Sequence, residues 1–117
     1  EAYEPAEADI RVIATTPLKA RLDVYFGSWC SDSRREVPRF LRILDRASPA
    51  RLKVRYYGID RTKKEPERLV RRGAIERVPT FILRADGREV GRIVETPQTT
   101  LEHDLALLVQ KAAASPP

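Results

Sequence analysis

The run Leu22–Phe26 reads as a strand buried on both faces, and it leads straight into helical spacing that opens at Trp29-Cys30-Ser31-Asp32-Ser33. A strand that hands its chain to a helix in this way needs a right-handed crossover back to a parallel neighbour. The junction therefore points to a layered α/β domain. It also holds the only cysteine of the 117 residues. A thiol at a helix start meets unpaired N–H groups and the positive end of the helix dipole. Both favour the thiolate, which is the nucleophile of disulfide chemistry.

The other elements follow from periodicity and punctuation. Pro5 to Ala14 is expected to form a short helix ended by Thr15-Thr16-Pro17. Residues 31–47 place Val37, Phe40, Leu41 and Leu44 on one helical stripe, with Pro38 as an internal kink. Leu52–Ile59 is a second strand, and Pro66–Arg72 a short helix with Gly73 just past its end. Thr80–Leu83 is a third strand, joined through the hairpin signal Asp86-Gly87 to an antiparallel fourth, Glu89–Val94. Thr99–Gln110 closes the chain as a helix, with Thr99 and Glu102 forming a capping box and Leu101, Leu105 and Leu108 turned to the core. The order β-α-β-α-β-β-α gives an α/β fold with a four-stranded mixed sheet and helices on both faces. The domain spans residues 21–112, after a partly helical N-terminal extension, 1–20, and before a flexible tail, 113–117. Ligands of such sheets gather beyond the carboxyl ends of parallel strands, where Cys30 sits.

Composition removes several alternatives. One cysteine excludes an internal disulfide, and one cysteine with one histidine excludes a tetrahedral zinc site within the chain. No apolar stretch approaches the ~20 residues of a membrane span. The charge of +5 is spread along the chain, as in Arg34, Arg35, Arg39, Arg42 and Arg46. Spread charge reads as solvated helix faces, so nucleic acid is not the expected partner. The first residues, Glu1-Ala2-Tyr3-Glu4-Pro5, show neither a starting Met nor a signal pattern, which leaves an upstream signal peptide open.

Four features, in order and with matching elements between them, resemble the thioredoxin-like family over about residues 20–112. Trp29-Cys30-x-x-Ser33 stands in the place of the family's Trp-Cys-x-x-Cys. Pro38 lies eight residues after the cysteine, at the family's helix kink; Val78-Pro79-Thr80 matches its cis-proline loop, and Asp86-Gly87 its hairpin turn. The stretch from Trp29 to Phe40 is similar to bacterial members with a monothiol Trp-Cys-x-Asp-Ser motif. Three departures point one way. Ser33 replaces the resolving cysteine, Val24 stands where relatives carry a buried Asp, and Tyr56 where they carry its partner Lys.

The resemblance implies a thiol–disulfide oxidoreductase using one cysteine, with the mixed disulfide resolved by an external thiol such as glutathione. Cys30 is then the nucleophile, and Ser33 either stabilises it or serves only as a polar helix-start residue. Trp29, Arg77, Val78, Pro79 and Thr80 form the docking groove, with Trp29 exposed rather than packed. Arg34, Arg35 and Arg77 add positive potential, and Asp32 opposes it. No metal or organic cofactor is implied. The partners are protein or small-molecule disulfides, the chain is a monomer, and the compartment is a bacterial periplasm or other extracytoplasmic space, with the cytoplasm left open. The alternative is a non-catalytic binding or client-tethering module of the same fold. His103 leaves the apolar stripe and reads as a solvent-facing bystander; Tyr56 and Tyr57 read as core and rim packing, and Asp60 and Glu95 receive no role.

Overall fold

The computed structural model describes residues 3–17, 19–63 and 66–114. Parts of the extension (1, 2 and 18) and the tail from 115 to 117 lie outside them. Eight elements follow in order: α1 (Glu7–Thr15), β1 (Ala20–Phe26), α2 (Ser31–Ala47), β2 (Leu52–Gly58), α3 (Glu67–Gly73), β3 (Thr80–Ala85), β4 (Arg88–Val94) and α4 (Leu101–Ala114). The strands lie in the order β2-β1-β3-β4, with β1 parallel to β2 and antiparallel to β3, and β3 antiparallel to β4. This is the mixed sheet expected from the strand and turn signals. Asp86 (φ 52°) and Gly87 (φ 76°) both take the left-handed conformation that a two-residue hairpin turn of the primed type requires.

The two sheet faces differ sharply. One presents Leu22 and Val24 of β1 and Phe81 and Leu83 of β3 to Phe40 and Ile43 of α2, Leu101, Leu105 and Val109 of α4, and Ile10 and Ile13 of α1. Three helices thus share one core with the sheet, and α1 is part of it. Burying Phe40, Phe81, Ile13 and Ile43 to near completion contributes about 1.5–3 kcal/mol per side chain. The opposite face carries a smaller cluster of Tyr25, Ile59, Ile75, Val78 and Ile82 beside the short helix α3. Beyond that cluster this face turns polar. Asp23 is 1% exposed and receives a hydrogen bond from Arg84 Nε at 2.9 Å. Arg21 Nε lies 3.0 Å from the other Asp23 oxygen, an ion pair without hydrogen-bond alignment.

Several details differ from the sequence reading. Leu41 is 48% exposed. The buried stripe of α2 is Ser33, Glu36, Phe40, Ile43 and Ala47, and Leu41 sits about 100° round the helix from Phe40. Glu36 is tolerated on that stripe because Arg35 Nε donates to it at 2.8 Å. Gly73 is the last residue of α3, and Ala74 (φ 50°) makes the left-handed exit, donating its N–H back to Arg71 and Val70 carbonyls. Gly73 fits closely for a different reason: a Cβ there would come within 3.0–3.3 Å of Ile75 and the Tyr25 hydroxyl, so those side chains would have to shift.

The cap of α4 is built by Thr100 rather than Thr99. The Thr100 hydroxyl accepts the His103 N–H at 3.2 Å, while Asp104 receives the N–H groups of Gln98 and Thr99. Glu102 is freed for another task. It is buried, and it accepts hydrogen bonds from the Tyr3 hydroxyl and, at 2.9 Å, from the Ala6 N–H. His103 is likewise engaged: its Nδ1 lies 3.0 Å from Asp9, tying α4 to α1. The closing helix runs further than expected, since Ala112 is buried and α4 continues to Ala114.

Candidate functional site

Cys30 is the N-cap residue of α2, in extended conformation (φ −96°, ψ 127°), and its carbonyl accepts the Arg34 N–H at 3.0 Å. The strand β1 ends four residues earlier, so the crossover geometry delivers the cysteine to the carboxyl end of the sheet. Its side chain is half-buried and unpaired with any other cysteine. The Sγ makes no capping bond to the first-turn amides. It lies instead 3.5 Å from the Val78 carbonyl oxygen, to which the thiol donates. Val78 is buried, and the Val78–Pro79 peptide bond is cis.

The loop bearing Val78 is fixed at three points. The Thr80 hydroxyl donates to the Arg77 carbonyl at 2.7 Å. The Pro79 carbonyl accepts the Glu95 N–H at 2.7 Å, and the Arg77 guanidinium pairs with the Glu95 carboxylate at 2.9 Å. That carboxylate raises the Arg77 guanidinium above its ordinary range. Cys30 therefore meets this loop at Val78, with Pro79 and Thr80 next in the same fixed loop, while the Arg77 side chain is exposed and bonded to its neighbour in the fold.

Ser33 is buried at 2% exposure, and its Oγ accepts the Gly27 N–H at 3.1 Å. That bond ties the start of α2 to the end of β1. Trp29 is half-buried rather than exposed. Its indole N–H donates to the Ile59 carbonyl at 3.0 Å, and the ring lies so close over Gly27 that a Cβ there would fall 2.5 Å from it. Gly27 and Ile59 are absent from the sequence-derived site, although a glycine directly after a buried strand and ahead of a tryptophan is a legible sign of close approach. Positive charge reaches the indole from the loop after β2: the Arg61 guanidinium and the Lys63 ammonium each lie 5.7 Å from the Trp29 ring. Arg35 is committed elsewhere, to Asp32 and Glu36 at 2.8 Å each. Asp60 accepts from the Thr62 hydroxyl and so braces the same loop.

No protein-family model matches this chain, and no curated protein does. Solved structures do. Thioredoxin-2 of the malaria parasite matches with a TM-score of 0.62 and 17% identity, over 80% of this chain and 82% of that one. Trxlp from Edwardsiella tarda matches with a TM-score of 0.62 and 16% identity, over 91% and 94%. A point mutant of thioredoxin from Halobacterium salinarum matches with 0.61 and 20%, over 96% and 89%. Likeness at such identity speaks for the backbone arrangement alone. The chain has a thioredoxin-like fold.

Proposed function

We propose that this chain is a single-cysteine thiol–disulfide exchange module. The observation that carries the reading is the half-buried Cys30 sulfur at the start of α2, 3.5 Å from the Val78 carbonyl. In the reaction the Cys30 thiolate attacks one sulfur of a protein or small-molecule disulfide. A Cys30–S–S–R bond forms, the original S–S bond breaks, and the other sulfur leaves as a thiolate. Ser33 offers no second sulfur, so an external thiol such as glutathione attacks the mixed disulfide and returns Cys30. The reaction needs no metal or organic cofactor. The loop 77–80 and the flat edge of Trp29 supply the docking surface.

Incubation with oxidised glutathione, followed by intact mass, tests the first step. A single adduct is expected, absent in Cys30→Ser. Turnover of a small disulfide coupled to glutathione and its reductase tests the second. A chain that forms no adduct and alkylates no faster than a free thiol refutes the catalytic reading. The second reading, a non-catalytic binding or tethering module, draws on one observation. The Cys30 thiol is bonded to the Val78 carbonyl, not to the amides of the helix start. An adduct that forms but never turns over would favour it.

A further inference from the structure

The sheet face that α3 leaves open carries a rank of cations for which disulfide exchange has no use. Strand register sets Lys53 of β2 beside Arg21 of β1, and Arg21 beside Arg84 of β3, so three cationic side chains leave one face from adjacent strands. In-register like charges repel. In the next row Asp23 sits beside Arg55 and answers only part of this charge, through Arg84 at 2.9 Å and Arg21 at 3.0 Å. Lys53 and Arg55, with Lys19 and Arg72 nearby, have no ion-pair partner among the described residues. Elsewhere Arg35, Arg42, Arg46, Arg71 and Arg92 each meet a carboxylate, and arginines without an ion pair among the described residues, such as Arg11 and Arg34, stand on separate helices; what sets this face apart is that its unpaired cations converge.

These residues line one concavity of about 760 Å³, within the range of small-molecule sites. Tyr25 and Tyr57, stacked at 5.0 Å, line its inner end; Arg72 reaches it from α3, and the Asp86-Gly87 turn closes another side. Among the described lining residues the carboxylates are Asp23 and Asp86, against six Lys and Arg side chains. The concavity runs along one face of β1 from Ala20 to Tyr25, whereas Cys30 lies past the carboxyl end of that strand. The geometry points to a binding site for a small phosphorylated molecule, held by Lys53, Arg55 and Arg72 above the Asp23–Arg84 pair. Guanidinium forks match phosphate oxygens in pairs, and an excess of several charges calls for a multiply charged group such as a diphosphate. The walls made by α3 and the hairpin turn suit a compact ligand rather than a duplex lying across an open surface.

The test is isothermal titration of the full chain with inorganic pyrophosphate at low salt. Saturable single-site binding is expected. Arg55→Gln with Arg72→Gln should weaken it roughly tenfold or more, since two charge-assisted contacts are lost. Both side chains are exposed, and far-UV circular dichroism confirms that the variant is folded. The control, Arg11→Gln with Arg34→Gln, removes the same charge from other elements and should stay within about twofold. Absence of saturable heat overturns the proposal, as does equal weakening in the control. A short duplex DNA that competes for the same residues more tightly than pyrophosphate would overturn it in favour of a nucleic-acid surface.

Discussion

Asp23→Asn is the substitution that most directly tests how the polar sheet face is held together. The carboxylate is 2% exposed, with Arg84 Nε at 2.9 Å and Arg21 Nε at 3.0 Å. The amide keeps the shape and one acceptor, so the change isolates charge. At an effective dielectric of about 20, each contact at this distance is worth about 5–6 kcal/mol before desolvation. The buried carboxylate gives back several kcal/mol of lost hydration. Arg21 and Arg84 are 41% and 23% exposed, so water screens both. The net loss should be about 2–3 kcal/mol, a large part of the 5–15 kcal/mol typical of such domains. For a chain of this size that lowers Tm by roughly 8–12 °C.

Urea denaturation followed by far-UV circular dichroism at about 0.1 M salt reads this directly. Part of the loss is repulsion among Lys53, Arg21 and Arg84, which stand in register once the carboxylate charge is gone. Salt at about 0.5 M should therefore recover a measurable fraction. A double-mutant cycle with Arg84→Gln should give a coupling of about 1–2 kcal/mol. If Asp23→Asn unfolds within about 0.5 kcal/mol of the parent and the cycle shows no coupling, the pairing does not stabilise the sheet.

Three further outcomes follow from the packing of the helices. Burial opposes ionisation of Glu102, but the Tyr3 hydroxyl and the Ala6 N–H overcome it and hold the carboxyl below its ordinary value. Its stabilisation is thus present above the unfolded value of about 4.3 and fades as pH falls through the lower folded value, so Glu102→Gln should flatten the acid limb of a stability–pH curve. His103 runs the other way: Asp9 raises its imidazole. That contribution is complete below about 6.5 and lost as pH rises through the folded value, and an NMR titration of the ring should show a midpoint above 6.5. Ser33→Ala removes the acceptor for the buried Gly27 N–H and should cost about 1–2 kcal/mol while leaving the alkylation rate of Cys30 nearly unchanged; a large change in that rate would assign Ser33 to the chemistry.

Elements are legible where pattern and packing agree. The apolar positions of β1, the Asp86-Gly87 turn and the Leu101–Leu105 stripe of α4 lie where periodicity puts them. The departures come where polar groups are buried in pairs. Glu36 holds a core position with Arg35 answering it, while Leu41, about 100° round the helix from Phe40, stays exposed. Asp23 reads as one charge in an apolar run because its partner Arg84 lies 61 residues on. The site is legible as a cysteine at a strand–helix junction and a proline loop, since both are local signals. The contacts of Trp29 with Ile59, and of Cys30 with Val78, depend on chain segments that only the fold brings together.

One carbonyl oxygen serves two callers. At rest the Val78 oxygen holds the Cys30 sulfhydryl hydrogen. An incoming strand laid along the same loop would bring its own N–H to that oxygen, where a second lone pair is open to it. The weaker S–H donor would then share its acceptor with a stronger one, so the arrival of a partner would loosen the hold on the thiol.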